Sequence, residues 1–305
     1  MPTRLFSLQD LSPYDFIQVL DLAEDVKGKP RDYRGKLKHH QLAYLFKKES
    51  MPEYLLLEAA VAQLGGALIH LPWSPSQDEA QTGQYAWSGS LGQWVNGWIF
   101  SGFSTSRMLE MAEDMTIPVL NASSEHHHPC RVLSDFYTIR EARGSVSGLR
   151  IGYIGSWTNL CLDLILAALY SGTRLIFALP DPEERKSSVR LEGVFPDWLS
   201  FIEWSDDPTA AADTADVVYL SGEKGTATED HKEISTRTAQ ASFVGGARFP
   251  EIGRDVLRIY TDPFLDPDVF ERGIKHRPSS LAAEQVKNQL HVQKAIMLLL
   301  LDTKR

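Results

Sequence analysis

Phe46-Lys-Lys-Glu-Ser-Met-Pro-Glu-Tyr-Leu-Leu-Leu-Glu58 decides the fold. Just before it, Leu42 to Phe46 is an apolar run of strand length. Within and beyond it, Tyr54, Leu55, Leu57, Ala59, Val61, Ala62 and Leu64 recur at near-helical spacing until Gly65-Gly66 stops the pattern. A buried strand that feeds a helix through so short a turn aims the helix N-terminus at the carboxyl edge of a parallel sheet. Open α/β sheets bind ligands at that edge, and the free amides of a helix start attract phosphates. Ser50 and Glu53 are spaced as a capping box, in which each side chain satisfies the other residue's backbone N–H. The place that could hold an anion therefore carries its own carboxylate.

The same alternation runs through both flanks. Ser12-Pro13-Tyr14-Asp15 supplies a cap, an early proline and an acid, and Phe16, Val19, Leu20, Leu22 and Ala23 form a helical stripe ending near Gly28. Ala67 to Leu71 reads as a second strand. Residues 72–92 read as a long loop rich in Ser, Gly and Gln, of a length usually functional or mobile. Trp73, Tyr85, Trp87, Trp94 and Trp98 surround it, either as core packing or as a subunit interface or stacking lid. Val95 to Phe100 predicts a strand, Thr105 to Met115 a helix, Ile117 to Leu120 a strand and Pro129 to Ala142 a helix. A turn-rich break at Arg143 to Gly148 then opens a new βαβ pattern: strands at Leu149–Ile154, Arg174–Ala178, Val217–Leu220 and Leu257–Tyr260, with a helix at Leu160–Tyr170. The fold class is therefore α/β, with two doubly wound parallel-sheet domains. The first is expected at 1–143 and the second at 144–279, with a C-terminal helix at 280–305 packing back on the first.

A chain of 305 residues, 43% hydrophobic and 23% charged, has the make-up of a soluble globular protein of about two domains. Its net charge of −9 argues against a nucleic-acid partner, and the basic residues between Lys27 and Lys38 are interrupted by Asp32. The two cysteines, Cys130 and Cys161, are too few for a disulfide framework or a thiolate metal site. His126-His127-His128 are consecutive and point to alternating faces, a poor arrangement for one ion. The N-terminus has no apolar signal segment, and Ala295 to Leu301 falls far short of the ~20 residues that span a bilayer. A cytoplasmic protein with no membrane partner, metal or cofactor is expected.

Three stretches carry a resemblance. Ile117-Pro-Val-Leu-Asn121 is followed by His128-Pro129-Cys130 and then by Leu133, Asp135 and Thr138-Ile139. Gly148-Leu-Arg-Ile-Gly-Tyr-Ile-Gly155 reads as a domain-opening strand and turn, and Gln285 to Ala295 contains Asn288, His291, Gln293, Lys294 and Ala295. Together these resemble the aspartate/ornithine carbamoyltransferase superfamily over nearly the whole chain. The resemblance implies a homotrimer with sites at subunit interfaces, the 72–92 loop reaching a neighbour, and amino-acid-like or carbamoyl and ureido ligands. It places ligand contacts at Ser50, Glu53, Ser101, Cys130, Asn159, Ser221, Tyr260 and Gln289, and catalytic roles at His128 and Arg131.

The departures from the family pattern fall on its chemistry. The family's Ser-Thr-Arg-Thr-Arg motif reads Ser50-Met51-Pro52-Glu53-Tyr54, and its later arginines correspond to Ser101 and Gln289. The His-Pro-Cys-Gln glutamine is Arg131, the Asp-Gly-Asn-Asn turn keeps only Asn159, the amino-acid-reading aspartate appears as Ser221, and His-Cys-Leu-Pro has become Tyr260-Thr261-Asp262-Pro263. Carbamoyl phosphate brings roughly two negative charges, which the family meets with arginine forks. Like charges at ~4 Å repel by about 4 kcal/mol at an effective dielectric of ~20. Loss of ordinary carbamoyl-phosphate binding is thus expected, leaving an amino-acid-like binder or a scaffold. The alternative is transfer or lysis with a less charged donor, held by Ser50, His128, Arg131 and Asn159. Arg131 either restores positive charge or pairs with Glu53 or Glu49. His128 either polarises a carbonyl or is a structural hydrogen-bonder, and Cys130 reads as a small buried hydrophobe.

Overall fold

The computed structural model describes residues 3–47, 50–73, 92–179, 201–221, 252, 253, 255–261, 263 and 279–301. The chain divides into two compact units. The first holds Met1–Tyr137, Asn159–Ala167 and Lys287–Arg305; the second holds Thr138–Thr158 and Ala168–Val286.

In the first unit, β1 (Arg4–Leu5), α1 (Pro13–Gly28), β2 (Gln41–Phe46), α2 (Met51–Gln63), β3 (Ala67–Pro72), β4 (Gly97–Phe103), α3 (Thr105–Ala112) and β5 (Val119–Ser124) follow in order, and α4 (Pro129–Arg143) begins. The strands form one parallel sheet in the order β1-β5-β4-β2-β3. The chain thus builds outward from β2 to β3 and then returns to β4 on the other side of β2. This reversal is a topological switch point, and its carboxyl end is the pair Phe46↔Ser101. Strand alternation divides the side chains between two faces. Ala43 and Leu45 pack with Trp98, Phe100, Met108 and Met111. Tyr44 and Phe46 face the other way and stack on each other at 5.1 Å.

The second unit contains β6 (Arg150–Ile154), then, after α5 (Cys161–Ser171), the elements β7 (Arg174–Ala178), β8 (Ile202–Ser205), α6 (Pro208–Asp213), β9 (Val217–Leu220) and β10 (Leu257–Tyr260). Its parallel sheet runs β10-β9-β6-β7-β8, with a second switch point where Ile154 pairs with Leu220. Gly155 closes that point at φ 129°, where a Cβ would lie 2.3 Å from the Ser221 carbonyl oxygen. Only glycine fits there. The last helix, α7 (Ala282–Leu301), belongs to the first unit from Lys287 onward, and Lys27 Nζ donates to its Asn288 at 2.9 Å.

Both parallel sheets and the returning helix agree with the sequence reading, as does the Ser12–Asp15 capping box, which is present in both directions. Several boundaries move. The strand expected at Ile117–Leu120 lies at Val119–Ser124, because Pro118 has no N–H for a ladder and serves only as an acceptor for Trp98 N. β4 runs on to Phe103 through irregular register at Ser101, and α3 stops at Ala112. β1, β8 and α6, at two, four and six residues, were not anticipated. Trp73 and Trp98 are buried in the core and Trp94 is exposed, while Tyr85, Trp87 and most of the 72–92 loop lie outside the described residues. Among the described residues no helix is long and apolar enough to cross a membrane, and no cluster of His, Cys, Asp and Glu is arranged to hold a metal.

Candidate functional site

The first switch point gathers Ser50 and Glu53 at the start of α2, Tyr44 on β2 and Ser101 on β4. Ser50 is the N-cap of α2 by backbone geometry, with φ −131° and ψ 104°, but its side chain makes no capping hydrogen bond. The capping box expected between Ser50 and Glu53 is therefore absent. Pro52 has no N–H to offer the serine, and the Glu53 carboxylate is drawn elsewhere. The Tyr44 hydroxyl donates to Glu53 Oε1 at 2.5 Å, and the Ser101 side chain hydrogen-bonds the same carboxylate. Burial raises the Glu53 pKa above its ordinary value and outweighs both hydroxyl donors. Burial and the neighbouring acid together raise that of Tyr44. Ser101, where the resemblance implies an arginine, is thus a partner of the acid.

The second wall is the loop into α4. Cys130 is buried, and burial followed by the charge of Glu53 pushes its thiol up, which keeps it protonated. Arg131 is buried and its Nε pairs with Asp135 one turn along α4, at 3.1 Å. A buried pair of this kind offsets two desolvation penalties. Arg131 thus pairs with Asp135; the alternative pairing with Glu53 is not found among the described residues, and Glu49 lies outside them. His128 is pulled down to about 3 by burial and by the Arg131 charge, so its imidazole is neutral at physiological pH. Its Nδ1 is buried with no hydrogen-bond partner among the described residues.

Asp163, unremarked in the sequence reading, holds this wall in place. Fully buried in the first turn of α5, its carboxylate accepts from Leu8 N at 2.9 Å and from His128 N at 2.8 Å, and lies 3.4 Å from His127 Nδ1. The available signal was a lone acid in the apolar run Leu160 to Leu169. Asn159, just before it, donates to the Ser124 carbonyl at 2.8 Å, and Asn121 Nδ2 donates to the Phe6 carbonyl at 2.7 Å. Gln289 is buried on α7 with no partner for its Nε2 among the described residues.

Two expected site residues fall in the second unit. Ser221 is buried beside Gly155 and donates through Oγ to the Ser156 carbonyl at 3.2 Å. Tyr260 is held by Gln285, which accepts from Tyr260 N at 3.0 Å and donates to Tyr260 O at 2.9 Å. Ser50, Glu53, Ser101, His128, Cys130, Arg131, Asn159 and Gln289 all belong to the first unit.

Two parallel-sheet α/β units, each with polar side chains at its switch point, and a C-terminal helix returning to the first unit define a known two-unit class of fold. The chain belongs to the aspartate/ornithine carbamoyltransferase family: residues 4–141 match the carbamoyl-P binding domain and residues 147–300 the Asp/Orn binding domain. An ornithine carbamoyltransferase of Archaeoglobus fulgidus is 29% identical over 98% of this chain and 97% of its own length. One from Parafrankia is 29% identical over 99% and 97%. Among solved structures, the ornithine carbamoyltransferase of Burkholderia thailandensis superposes over the whole of both chains with a TM-score of 0.82 at 24% identity. That of Thermus thermophilus covers 99% of this chain and 100% of its own at 0.75 and 25%.

Because the folded state favours protonated Glu53, stability from this group is complete below the ordinary carboxylate pKa of 4.5 and is lost as pH rises through the raised value. Glu53→Gln keeps an acceptor for Tyr44 and removes the charge. It should raise the melting temperature at pH 8 by about 2–4 °C, with the gain vanishing near pH 4 in a calorimetric pH series. Asp163→Ala should destabilise by about 1–3 kcal/mol for each stranded amide, and hydrogen exchange should show Leu8 and His128 losing protection first.

Proposed function

We propose that this chain is a carbamoyltransferase-family protein that has lost ordinary carbamoyl-phosphate-dependent transfer and binds an amino-acid-like small molecule or serves as a scaffold. The observation that carries the reading is the Glu53 carboxylate at the first switch point, bonded by Tyr44 and Ser101. A phosphoryl group placed at the start of α2 would meet that acid. The Arg131 guanidinium, whose charge acts on His128, is engaged by Asp135. Unit charges of like sign at ~4 Å repel by about 4 kcal/mol at an effective dielectric of ~20, which is close to a thousandfold in affinity. A second reading, transfer from an uncharged donor, draws on His128: a neutral imidazole with an unpartnered Nδ1 can hydrogen-bond a carbonyl without adding charge.

Incubated with carbamoyl phosphate and either ornithine or aspartate, the protein should release phosphate no faster than the uncatalysed rate. Turnover that His128→Ala abolishes would sink the main reading. Thermal stabilisation by a ureido compound that is lost in His128→Ala would favour the second.

The assembly we propose is a homotrimer. Met51 and Leu55 on α2 and Ile69 on the edge strand β3 are exposed apolar side chains of the kind that subunit contacts cover. Light scattering should give about three times the 34.2 kDa chain mass, and a monomer at micromolar concentration would overturn the assembly.

A further inference from the structure

The face of the first sheet that carries Tyr44 also carries a cluster of rings. Tyr44 and Phe46 stack at 5.1 Å, His70 meets both edge-on at 5.4 and 5.8 Å, and Tyr54 of α2 meets His70 edge-on at 3.8 Å. Strand register explains the grouping: Tyr44 lies opposite His70 across β2 and β3, and Tyr54 follows Glu53 on the covering helix. Tyr44 itself is sealed, and the cluster opens outward from it through Phe46 and His70 to Tyr54. Phe46, His70 and Glu53 are half-buried, and Tyr54 is exposed. His70 Nε2 is itself a buried nitrogen with no partner among the described residues.

Glu53 stands at the inner end of these rings. A carboxylate has about four acceptor positions, of which the Tyr44 and Ser101 hydroxyls occupy two. No ion pair to Glu53 occurs among the described residues. The site therefore combines aromatic faces, a carboxylate with spare acceptor capacity, and an unsatisfied imidazole nitrogen. Cation–π attraction and charge-assisted hydrogen bonding both favour the same kind of guest.

We propose that the Glu53 pocket, with Tyr44, Phe46, Tyr54 and His70, binds a small organic cation bearing N–H donors, an alkylguanidinium or alkylammonium group. This rests on the reading above that the pocket no longer takes a dianion. The guest's N–H groups complete the carboxylate, its charge supplies the counter-ion that Glu53 lacks among the described residues, and its apolar body lies against the rings.

Methylguanidinium chloride is the probe, titrated calorimetrically at pH 8 against sodium chloride of matched ionic strength. Wild type should give saturable heat. Glu53→Gln should weaken binding about tenfold or more, the equivalent of one charge-assisted hydrogen bond. Tyr54→Ala, a change at an exposed ring, should weaken it while leaving the melting temperature nearly unchanged. Absence of saturable binding to wild type, or equal binding by Glu53→Gln, overturns the cation site. Carbamoyl-phosphate turnover would instead remove the reading beneath it, so the two failures are distinguishable.

Discussion

Two adjacent parallel strands whose connections leave in opposite directions cannot close the sheet edge between them. β2 sends the chain outward to β3, and β4 receives it back on the other side. The opening at Phe46 and Ser101 is a consequence of that topology and exists whatever residues line it. What varies is the charge placed there. In this chain the lining is a hydroxyl from each strand and an acid from the helix that begins beside them.

The architecture was readable because apolar periodicity is long and local. Residues 42–64 and 149–178 each give strand, turn and helix within one window, and the observed elements fall there within a residue or two. The charge inversion was also readable, because Pro52 and Tyr54 stand where the resemblance implies arginines and the acid Glu53 lies between them. Its partner was not. A capping box is the local solution for Ser-x-x-Glu, and it fails because Tyr44, on the preceding strand, and Ser101, remote in sequence, offer the carboxylate two hydroxyl donors. Local spacing gives the options open to a side chain; tertiary contacts choose among them.

Asp163 shows the same limit from the other side. In sequence it is one acid in an apolar helix. In the fold it accepts the amides of Leu8 and His128, 155 and 35 residues away. Nothing within a helical window announces an acceptor for so distant a donor. The Arg131–Asp135 pair, by contrast, lies at helical i,i+4 spacing and was available to a local reading.

Acids are common in the first turn of a helix, where the macrodipole favours negative charge by about 0.3–1 kcal/mol at exposed positions. Glu53 occupies the third position of α2 and accepts two hydroxyl donors, and all three effects would lower its pKa. The pKa nevertheless rises, so desolvation exceeds the two hydroxyl hydrogen bonds. As a stabilising cap the residue is therefore poorly placed: a glutamine would keep an acceptor for Tyr44 without burying a charge. Residues that cost stability locally concentrate at functional sites. An acid whose own surroundings oppose its ionisation gains most from a guest that brings the missing positive charge, and in that sense the strain at Glu53 and the aromatic rings beside it point to one ligand chemistry.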